Sequence, residues 1–186
     1  TSLLILIGCA KHDSIIKLSD EDMRYFNEII ARPGEEVRFF QSYDNVQLAC
    51  TIIRTKKSQE GVVLFIHGIG TRSNLYLPLA DELAENGYNI YLLDIRGHGY
   101  SKGISGHMPS KDAMAKDIKY FYEYVFSIEG NDQKYVAMGH SLGTYAWINT
   151  LSHYADIHID AFVLISGGAI HTINSMKSLG GGREYF

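Results

Sequence analysis

Residues 134–143 read KYVAMGHSLG, and this stretch decides how the rest of the chain is interpreted. Its first half is apolar and predicts a buried strand, while the residues after it predict a largely apolar helix. Gly-x-Ser-x-Gly between a strand and a helix is the pattern of a sharp turn that exposes the serine hydroxyl. Side chains at Gly139 and Gly143 would collide with the neighbouring strand and helix, so glycine is needed at both. The stretch therefore predicts Ser141 as a catalytic nucleophile.

Strands and helices alternate on both sides of this turn. Continuous apolar runs, typical of strands buried on both faces, lie at residues 61–66, 89–93 and 161–165. Helices are predicted from Tyr76 to Leu83, from Ser110 as the N-cap to Val125, and from Thr144 to Tyr154. Two β-rich runs, 37–40 and 46–54, flank a turn and predict an antiparallel hairpin. The pattern predicts an α/β fold, with a mostly parallel sheet covered by helices on both faces.

Composition excludes several classes of function. The chain has 186 residues and a net charge of -4, whereas nucleic-acid binding needs a basic surface, so no nucleic-acid partner is expected. Of the two cysteines, Cys9 and Cys50, the second lies in an apolar strand pattern and is predicted to be a small buried side chain. No Cys/His cluster has the spacing of a zinc site, so neither a metal nor a cofactor is predicted.

The first nineteen residues differ in character from the rest. Residues 3–10 are apolar and end in small residues, as the end of a secretory signal does. Leu6-Ile7-Gly8-Cys9 resembles a bacterial lipobox, in which the cysteine is acylated, and this predicts a membrane-anchored lipoprotein of the bacterial cell envelope. A clipped signal peptide or a buried first strand is the alternative, with a secreted or cytoplasmic protein. Residues 1–19 are thus expected to be a signal remnant and tether, and residues 20–186 the N-terminal part of one domain.

A second motif, His67-Gly68-Ile69-Gly70, directly follows the apolar run at 61–66. At the end of such a strand, backbone N–H groups lie near the nucleophile and can hold the oxyanion of a tetrahedral intermediate. The predicted donors are the N–H groups of Ile69 and Leu142, and Gly68 is predicted to border the substrate. The His67 side chain is predicted to hold this loop through its ring nitrogens.

His140 precedes the predicted nucleophile but is excluded as its base, because adjacent side chains on a tight turn point apart. It is predicted to pack or hydrogen-bond under the turn, at the border of the substrate site. A third motif, residues 94–101, reads DIRGHGYS. It predicts a rigid loop in which Asp94 and Arg96 fix the turn, and a metal or phosphate site is the alternative.

His67-Gly68 after the third strand, residues 94–101 after the fourth and residues 139–143 after the fifth resemble, in this order, the monoacylglycerol lipase/lysophospholipase group of α/β-hydrolases. Residues 101–107 continue the match, and the resemblance covers Val37 to Gly168. It implies a lipid-directed esterase with an apolar lid after the sixth strand, beginning near residue 169. It also implies a triad acid after a seventh strand and a triad His after an eighth. Both are expected beyond Phe186, so the chain is interpreted as a fragment with little activity of its own.

The function predicted is a serine hydrolase that cleaves carboxylic esters, such as a monoacylglycerol or a lysophospholipid, through an acyl-enzyme on Ser141. A non-catalytic lipoprotein of the same fold is an alternative, and so is a serine peptidase, thioesterase or acyltransferase. Three histidines follow the serine, but none follows a late strand: His153, His158 and His171. Asp156 and Asp160 are predicted to be helix-end and strand-entry residues rather than triad members.

Overall fold

The apolar runs form a six-stranded sheet in the computed structural model, which describes residues 36–165. The strands are β1 (Glu36–Gln41), β2 (Gln47–Ile53), β3 (Gly61–Ile66), β4 (Tyr88–Asp94), β5 (Tyr135–His140) and β6 (Ala161–Ile165). Their order across the sheet is β1-β2-β4-β3-β5-β6. The first two strands pair antiparallel with each other, β2 pairs antiparallel with β4, and the remaining neighbours are parallel. The predicted hairpin and the predicted mostly parallel sheet are both confirmed.

Helices connect the parallel strands and cover both faces of the sheet. A 3₁₀ helix (Ser73–Tyr76) and α1 (Leu77–Glu85) link β3 to β4, α2 (Ala113–Glu129) links β4 to β5, and α3 (Leu142–His153) links β5 to β6. Glycines with positive φ follow the first two α-helices, Gly87 at 94° and Gly130 at 81°. A residue without Cβ adopts this conformation without strain, so the chain can turn back toward the next strand.

The central strand β3 separates two apolar clusters. Val63 and Phe65 pack with Ala80 of α1 on one face, while Leu64 and Ile66 pack with α2 and α3 on the other. This alternation follows from the two-residue period of a strand, and a strand covered on both faces is apolar throughout. All six residues of β3 are buried, as the continuous apolar run predicts.

The connections place the ends of β3 and β5 side by side at a point where the chain changes direction. From β3 the chain first moves to β4 on one side and then crosses to β5 on the other. In open parallel sheets, ligands bind outside the carboxyl ends of the strands at such a point. The fold therefore brings the motif after β3 and the motif after β5 to one place.

Two local expectations are wrong. Helix α2 begins at Ala113 with Asp112 at the N-cap, and Ser110 instead donates a 2.6 Å hydrogen bond from its hydroxyl to the Asp112 carboxylate. A turn in which the Ala113 N–H binds the Ser110 carbonyl therefore precedes the helix. The run at 161–165 does form a strand, but among the strands described between residues 36 and 165 it is the outermost, with Val163 37% and Leu164 47% exposed.

Several expectations fall outside the described residues. These are the tether and lipobox with Cys9, the lid near residue 169, and His171. Within residues 36–165, no helix is both long and apolar enough to cross a membrane. Cys50 is fully buried in β2, as predicted, and burial raises the pKa of its thiol to about 12.

Candidate active site

Ser141 occupies the turn between β5 and α3, at the N-cap of the helix, with φ 49° and ψ -111°. In the described part of the chain, only Asn45 shares a positive φ among residues other than glycine. Such a backbone costs on the order of 1–3 kcal/mol and persists only where the surroundings enforce it. One such constraint is the hydrogen bond of 3.0 Å from the Ser141 N–H to the Ile165 carbonyl of the neighbouring strand.

The glycines on either side of the turn allow a close backbone approach. A Cβ on Gly143 would lie 2.1 Å from the carbonyl oxygen of Ile66, at the end of β3. A Cβ on Gly139 would lie 2.5 Å from the backbone carbon of Gly143. Both contacts are to backbone atoms, which cannot swing aside as the end of a side chain can. The steric reason given for glycine at these positions is therefore confirmed.

Helix α3 is tied back onto the strand that leads into the turn. The Thr144 hydroxyl donates to the Gly139 carbonyl at 2.8 Å, and the Trp147 indole N–H donates to the Met138 carbonyl at 3.2 Å. Both side chains are fully buried. Buried carbonyls need hydrogen-bond partners, so these contacts satisfy the strand end and hold the strained turn in place.

The loop after β3 is held by His67, as predicted. Its Nε2 accepts the Ile95 N–H at 3.0 Å, and its Nδ1 lies 2.7 Å from the Gly68 carbonyl, so we assign the ring proton to Nδ1. The side chain is fully buried. Burial lowers the pKa of His67 from 6.5 to about 4, which keeps the ring neutral near pH 7.

Gly68 faces the turn that carries Ser141. A Cβ on Gly68 would lie 2.8 Å from Nδ1 of His140 and 3.4 Å from Cβ of Ser141. The next residue, Ile69, is 74% exposed. Leu142 is the first residue of α3, where backbone N–H groups have no partner within the helix. The loop after β3 and the start of α3 therefore border the Ser141 side chain together.

Tyr76 joins these two segments through its hydroxyl, a role that its place on the apolar face of a predicted helix did not suggest. The hydroxyl lies 2.8 Å from Nδ1 of His140 and 3.4 Å from the Gly68 nitrogen. On the other side of the same residue, the Thr71 hydroxyl donates to the Gly68 carbonyl at 2.8 Å. The Gly68 N–H donates to the Tyr76 hydroxyl, which also pairs with the His140 ring. His140 thus hydrogen-bonds under the turn, as predicted.

The loop after β4 is rigid, as predicted, and its buried polar groups are paired. The Asp94 carboxylate accepts the N–H groups of Ser73 at 2.7 Å and Tyr100 at 2.8 Å. The Ser101 hydroxyl accepts the Ala49 N–H at 2.8 Å and donates to the Asp94 carbonyl. These bonds connect the loop to β2 and to the 3₁₀ helix. Asp94 thus fixes the turn.

Arg96 does not fix its own turn, in contrast to the prediction. Its guanidinium binds Asp44 in the β1–β2 turn at 2.6 and 2.9 Å, and Asp117 of α2 at 2.7 and 2.8 Å. Its side chain is 4% exposed. Hydrogen bonds from Asp117 and Asp44 raise the pKa of Arg96 above its ordinary value. The residue links the hairpin to α2, so its carboxylate partners account for its charge and leave no need for a phosphate.

Between Ser141 and residue 165, the acidic and histidine side chains have partners of their own. Asp160 accepts the Tyr135 N–H at 2.8 Å at the entry to β5, and Asp156 binds Lys119 of α2 at 2.7 Å. His153 lies 2.8 Å from the Asn149 carbonyl, and His158 lies 3.5 Å from Asp160. From residue 36 to residue 165, no imidazole is hydrogen-bonded to the Ser141 hydroxyl, and no group of three or more His, Cys, Asp or Glu side chains could hold a metal. The triad base and acid remain predictions.

A parallel sheet with a serine on a strained turn after β5, beside a His-Gly loop after β3, defines an α/β-hydrolase fold. A family model described as Hydrolase_4, serine aminopeptidase, S33, matches residues 57–179. The chain belongs to this family.

Named relatives are similar over parts of the chain. Protein phosphatase methylesterase 1 of Candida albicans is 25% identical over 150 residues, which cover 77% of this chain and 41% of the relative. Monoacylglycerol lipase of Mycolicibacterium smegmatis is 26% identical over 107 residues, which cover 56% of this chain and 37% of the relative. The chain thus spans less than half the length of either relative.

Solved structures show the same fold. A thermostable carboxyl esterase from Bacillus coagulans superposes with a TM-score of 0.62 at 20% identity, over 82% of this chain and 53% of that chain. An esterase from Exiguobacterium antarcticum gives a TM-score of 0.59 at 20% identity, over 70% of this chain and 45% of that chain. The predicted fold class is confirmed.

Proposed function

We propose that the whole protein is a serine hydrolase that cleaves carboxylic esters through an acyl-enzyme on Ser141. The observation that carries the proposal is the strained backbone of Ser141, with φ 49°, on a turn that faces Gly68. A hydroxyl held at such a turn is exposed to substrate and fixed in direction. In the reaction, the Ser141 oxygen attacks the ester carbonyl, the alcohol leaves, and water releases the carboxylic acid.

The N–H groups of Ile69 and Leu142 are the proposed oxyanion donors. Ile69 follows Gly68, which borders Ser141, and Leu142 is the first residue of α3. Two backbone donors that are fixed before the reaction stabilise the developing negative charge without reorganisation, and one such donor contributes about 3–4 kcal/mol. The contacts of His67 and Tyr76 support this role, because they hold the Gly68 loop against the turn.

A serine hydroxyl needs a histidine to take its proton and a carboxylate to orient that histidine. The proposal places both residues after position 186, in the order Ser, Asp or Glu, His that this fold uses. The coverage supports this placement, since the chain spans 53% of one matched esterase and 45% of another.

The substrate class proposed is a lipid-like ester, such as a monoacylglycerol or lysophospholipid. The support is the similarity to a monoacylglycerol lipase, at 26% identity over 107 residues, together with the order of the three motifs. Attachment to the bacterial cell envelope through a lipidated Cys9 remains part of the proposal, on the pattern Leu6-Ile7-Gly8-Cys9 alone.

An aminopeptidase is the second candidate, because the family model carries that description. A peptidase would use the same nucleophile and the same oxyanion donors. It would differ in needing a group that binds the free amino terminus of a peptide, and a carboxylate is the usual choice for a cationic amine. Asp94 and Asp117 cannot serve, because both are buried and already paired.

The deciding experiment uses the full-length protein and two substrate families at matched concentrations. p-Nitrophenyl butyrate and a monoacylglycerol report ester cleavage, and alanine p-nitroanilide reports aminopeptidase activity. We expect turnover of the esters and none of the anilide. Ser141→Ala should remove the ester turnover. Faster turnover of the anilide would favour the aminopeptidase, and no Ser141-dependent turnover of either family would overturn the proposal of a serine hydrolase.

A further inference from the structure

A cavity of about 240 Å³ lies between the start of α2 and the first two turns of α3, the helix that begins directly after Ser141. Helix α3 contributes Leu142, Tyr145, Ala146 and Asn149 to its wall. These residues recur at i, i+3, i+4 and i+7, so they form one face of the helix. Met114 of α2, with Met108, Ser110 and Lys111 of the preceding segment, completes the lining.

We propose that this cavity binds the apolar chain of the ester substrate, an assignment that rests on the proposed function and makes it more specific. Leu142 connects the cavity to the chemistry. Its backbone N–H is a proposed oxyanion donor, and its side chain lines the cavity. A substrate whose carbonyl oxygen binds that N–H therefore lies beside a residue that also lines the cavity.

The chemistry of the wall fits an aliphatic chain. Leucine, alanine, two methionines and a tyrosine ring give the wall its apolar groups, and Ser110, Lys111 and Asn149 add polar ones. Methionine is unbranched and adapts its shape to flexible apolar ligands. The two methionines are only partly buried and pack against the larger core cluster, so they have room to adjust. An apolar chain that enters this cavity leaves water, which contributes roughly 25 cal/mol per Å² buried.

Size limits the chain that fits. An apolar cavity of about 150 Å³ is enough to hold benzene, whereas sites for drug-sized ligands run from about 300 Å³ upward. The volume of about 240 Å³ falls between these values. From Leu142 to Asn149 the wall extends about 10 Å along the helix, because an α-helix rises 1.5 Å per residue. An octanoyl chain has a comparable extended length, and Asn149 places a polar side chain at the far end.

The test measures chain-length preference in the full-length protein. p-Nitrophenyl acetate, butyrate, octanoate and laurate vary the acyl chain, while ethyl and octyl acetate vary the alcohol. Met114→Trp and Met108→Phe each fill the cavity, and two variants keep the test valid if one fails to fold. Ile128→Trp is the matched control, because Ile128 is exposed in the last turn of the same helix and does not line the cavity.

We expect Met114→Trp to lower the octanoate-to-acetate ratio of kcat/KM at least tenfold, and Ile128→Trp to leave that ratio unchanged. A loss confined to the octyl acetate series would show that the cavity holds the alcohol chain instead of the acyl chain. The proposal is overturned if both filling variants keep the wild-type chain-length profile in both series. If the wild-type protein hydrolyses none of these esters, the proposed function itself fails.

Discussion

The loops after β4 and β5 leave the same edge of the sheet, and both are rich in glycine, yet their polar side chains have different surroundings. After β4, Asp94 and Ser101 are buried and hydrogen-bonded to backbone groups, and Arg96 is held between two carboxylates. After β5, Ser141 is partly exposed and sits in a strained backbone conformation.

The difference separates structural from chemical roles. A buried polar group that has its partners stabilises the fold, and losing one partner costs the desolvation of the other. At a strained turn, the surrounding hydrogen bonds hold the backbone in place and leave the serine hydroxyl available to a substrate. The first pattern predicts mutants that unfold, and the second predicts mutants that fold and do not react.

Exchanging the two serines for alanine gives the largest contrast. In the full-length protein, we expect Ser141→Ala to lower ester turnover on the order of 10⁴-fold or more, because the nucleophile is gone. Ser101→Ala should keep turnover within a few fold but lower the free energy of unfolding by about 1–3 kcal/mol, since the Ala49 N–H loses its acceptor. Steady-state assays and urea unfolding measure the two effects. Equal losses of activity in both variants would break the comparison.

The second contrast is between a buried and an exposed ion pair, and the buried one is the cluster of Arg96 with Asp44 and Asp117. Asp117→Ala leaves a buried guanidinium with one carboxylate fewer, and removing one partner of a buried ion pair costs about 3–5 kcal/mol. Glu123→Ala removes an exposed ion pair to Lys119 on the same helix and serves as control, with no measurable shift in the urea midpoint expected. If Asp117→Ala unfolds at the wild-type urea concentration, the cluster contributes no stability and Arg96 has another role.

Sequence reasoning predicts the sheet well, because the signal for each strand is local. The six residues of β3 form one apolar run. A run of that kind between two predicted helices is typical of a central parallel strand. The turn at Ser141 is also a local signal, since both glycines lie within two residues of the serine. The structure then shows why glycine is needed, because a Cβ at either position would collide with backbone atoms.

The polar contacts between distant segments are not local, and sequence reasoning missed them. Arg96 meets Asp44 across 52 positions and Asp117 across 21, so nothing near Arg96 reveals its partners. Tyr76 has the same property, because its bond to His140 spans 64 positions. The Ser110 cap failed for a different reason, since a turn before α2 moved the helix start to Ala113. Such choices depend on the packing of the whole sheet.

The pH dependence of stability tests whether His67, in the loop after β3, is a buried and paired group like those after β4. Burial lowers the pKa of His67 from 6.5 to about 4, so the unfolded chain takes up a proton first as the pH falls. Stability is therefore lost below pH 6.5, by about 2 kcal/mol between pH 7 and pH 5. His67→Gln keeps an acceptor for the Ile95 N–H and does not titrate. Urea unfolding at both pH values should show a smaller loss in this variant, and equal losses would mean that His67 is protonated in the folded protein.

Tyr76→Phe gives the smallest and most specific effect, because it removes one hydroxyl that joins the two sides of the site. The Gly68 N–H and Nδ1 of His140 then lose their shared partner, which should lower the free energy of unfolding by about 1 kcal/mol. Gly68 precedes the proposed oxyanion donor Ile69, so we expect kcat to fall about tenfold while KM stays constant.

Tyr88→Phe is the control for that change, since Tyr88 begins β4 at the opposite end of the strands. A stability loss in Tyr76→Phe with unchanged kcat would mean that the hydroxyl only supports the fold, as the groups after β4 do. A fall in kcat with KM unchanged would instead place Tyr76 among the residues that position the site. The same two measurements therefore decide whether the loop after β3 resembles the loop after β4 or the turn at Ser141, because its Gly68 faces Ser141 while its His67 is buried and paired.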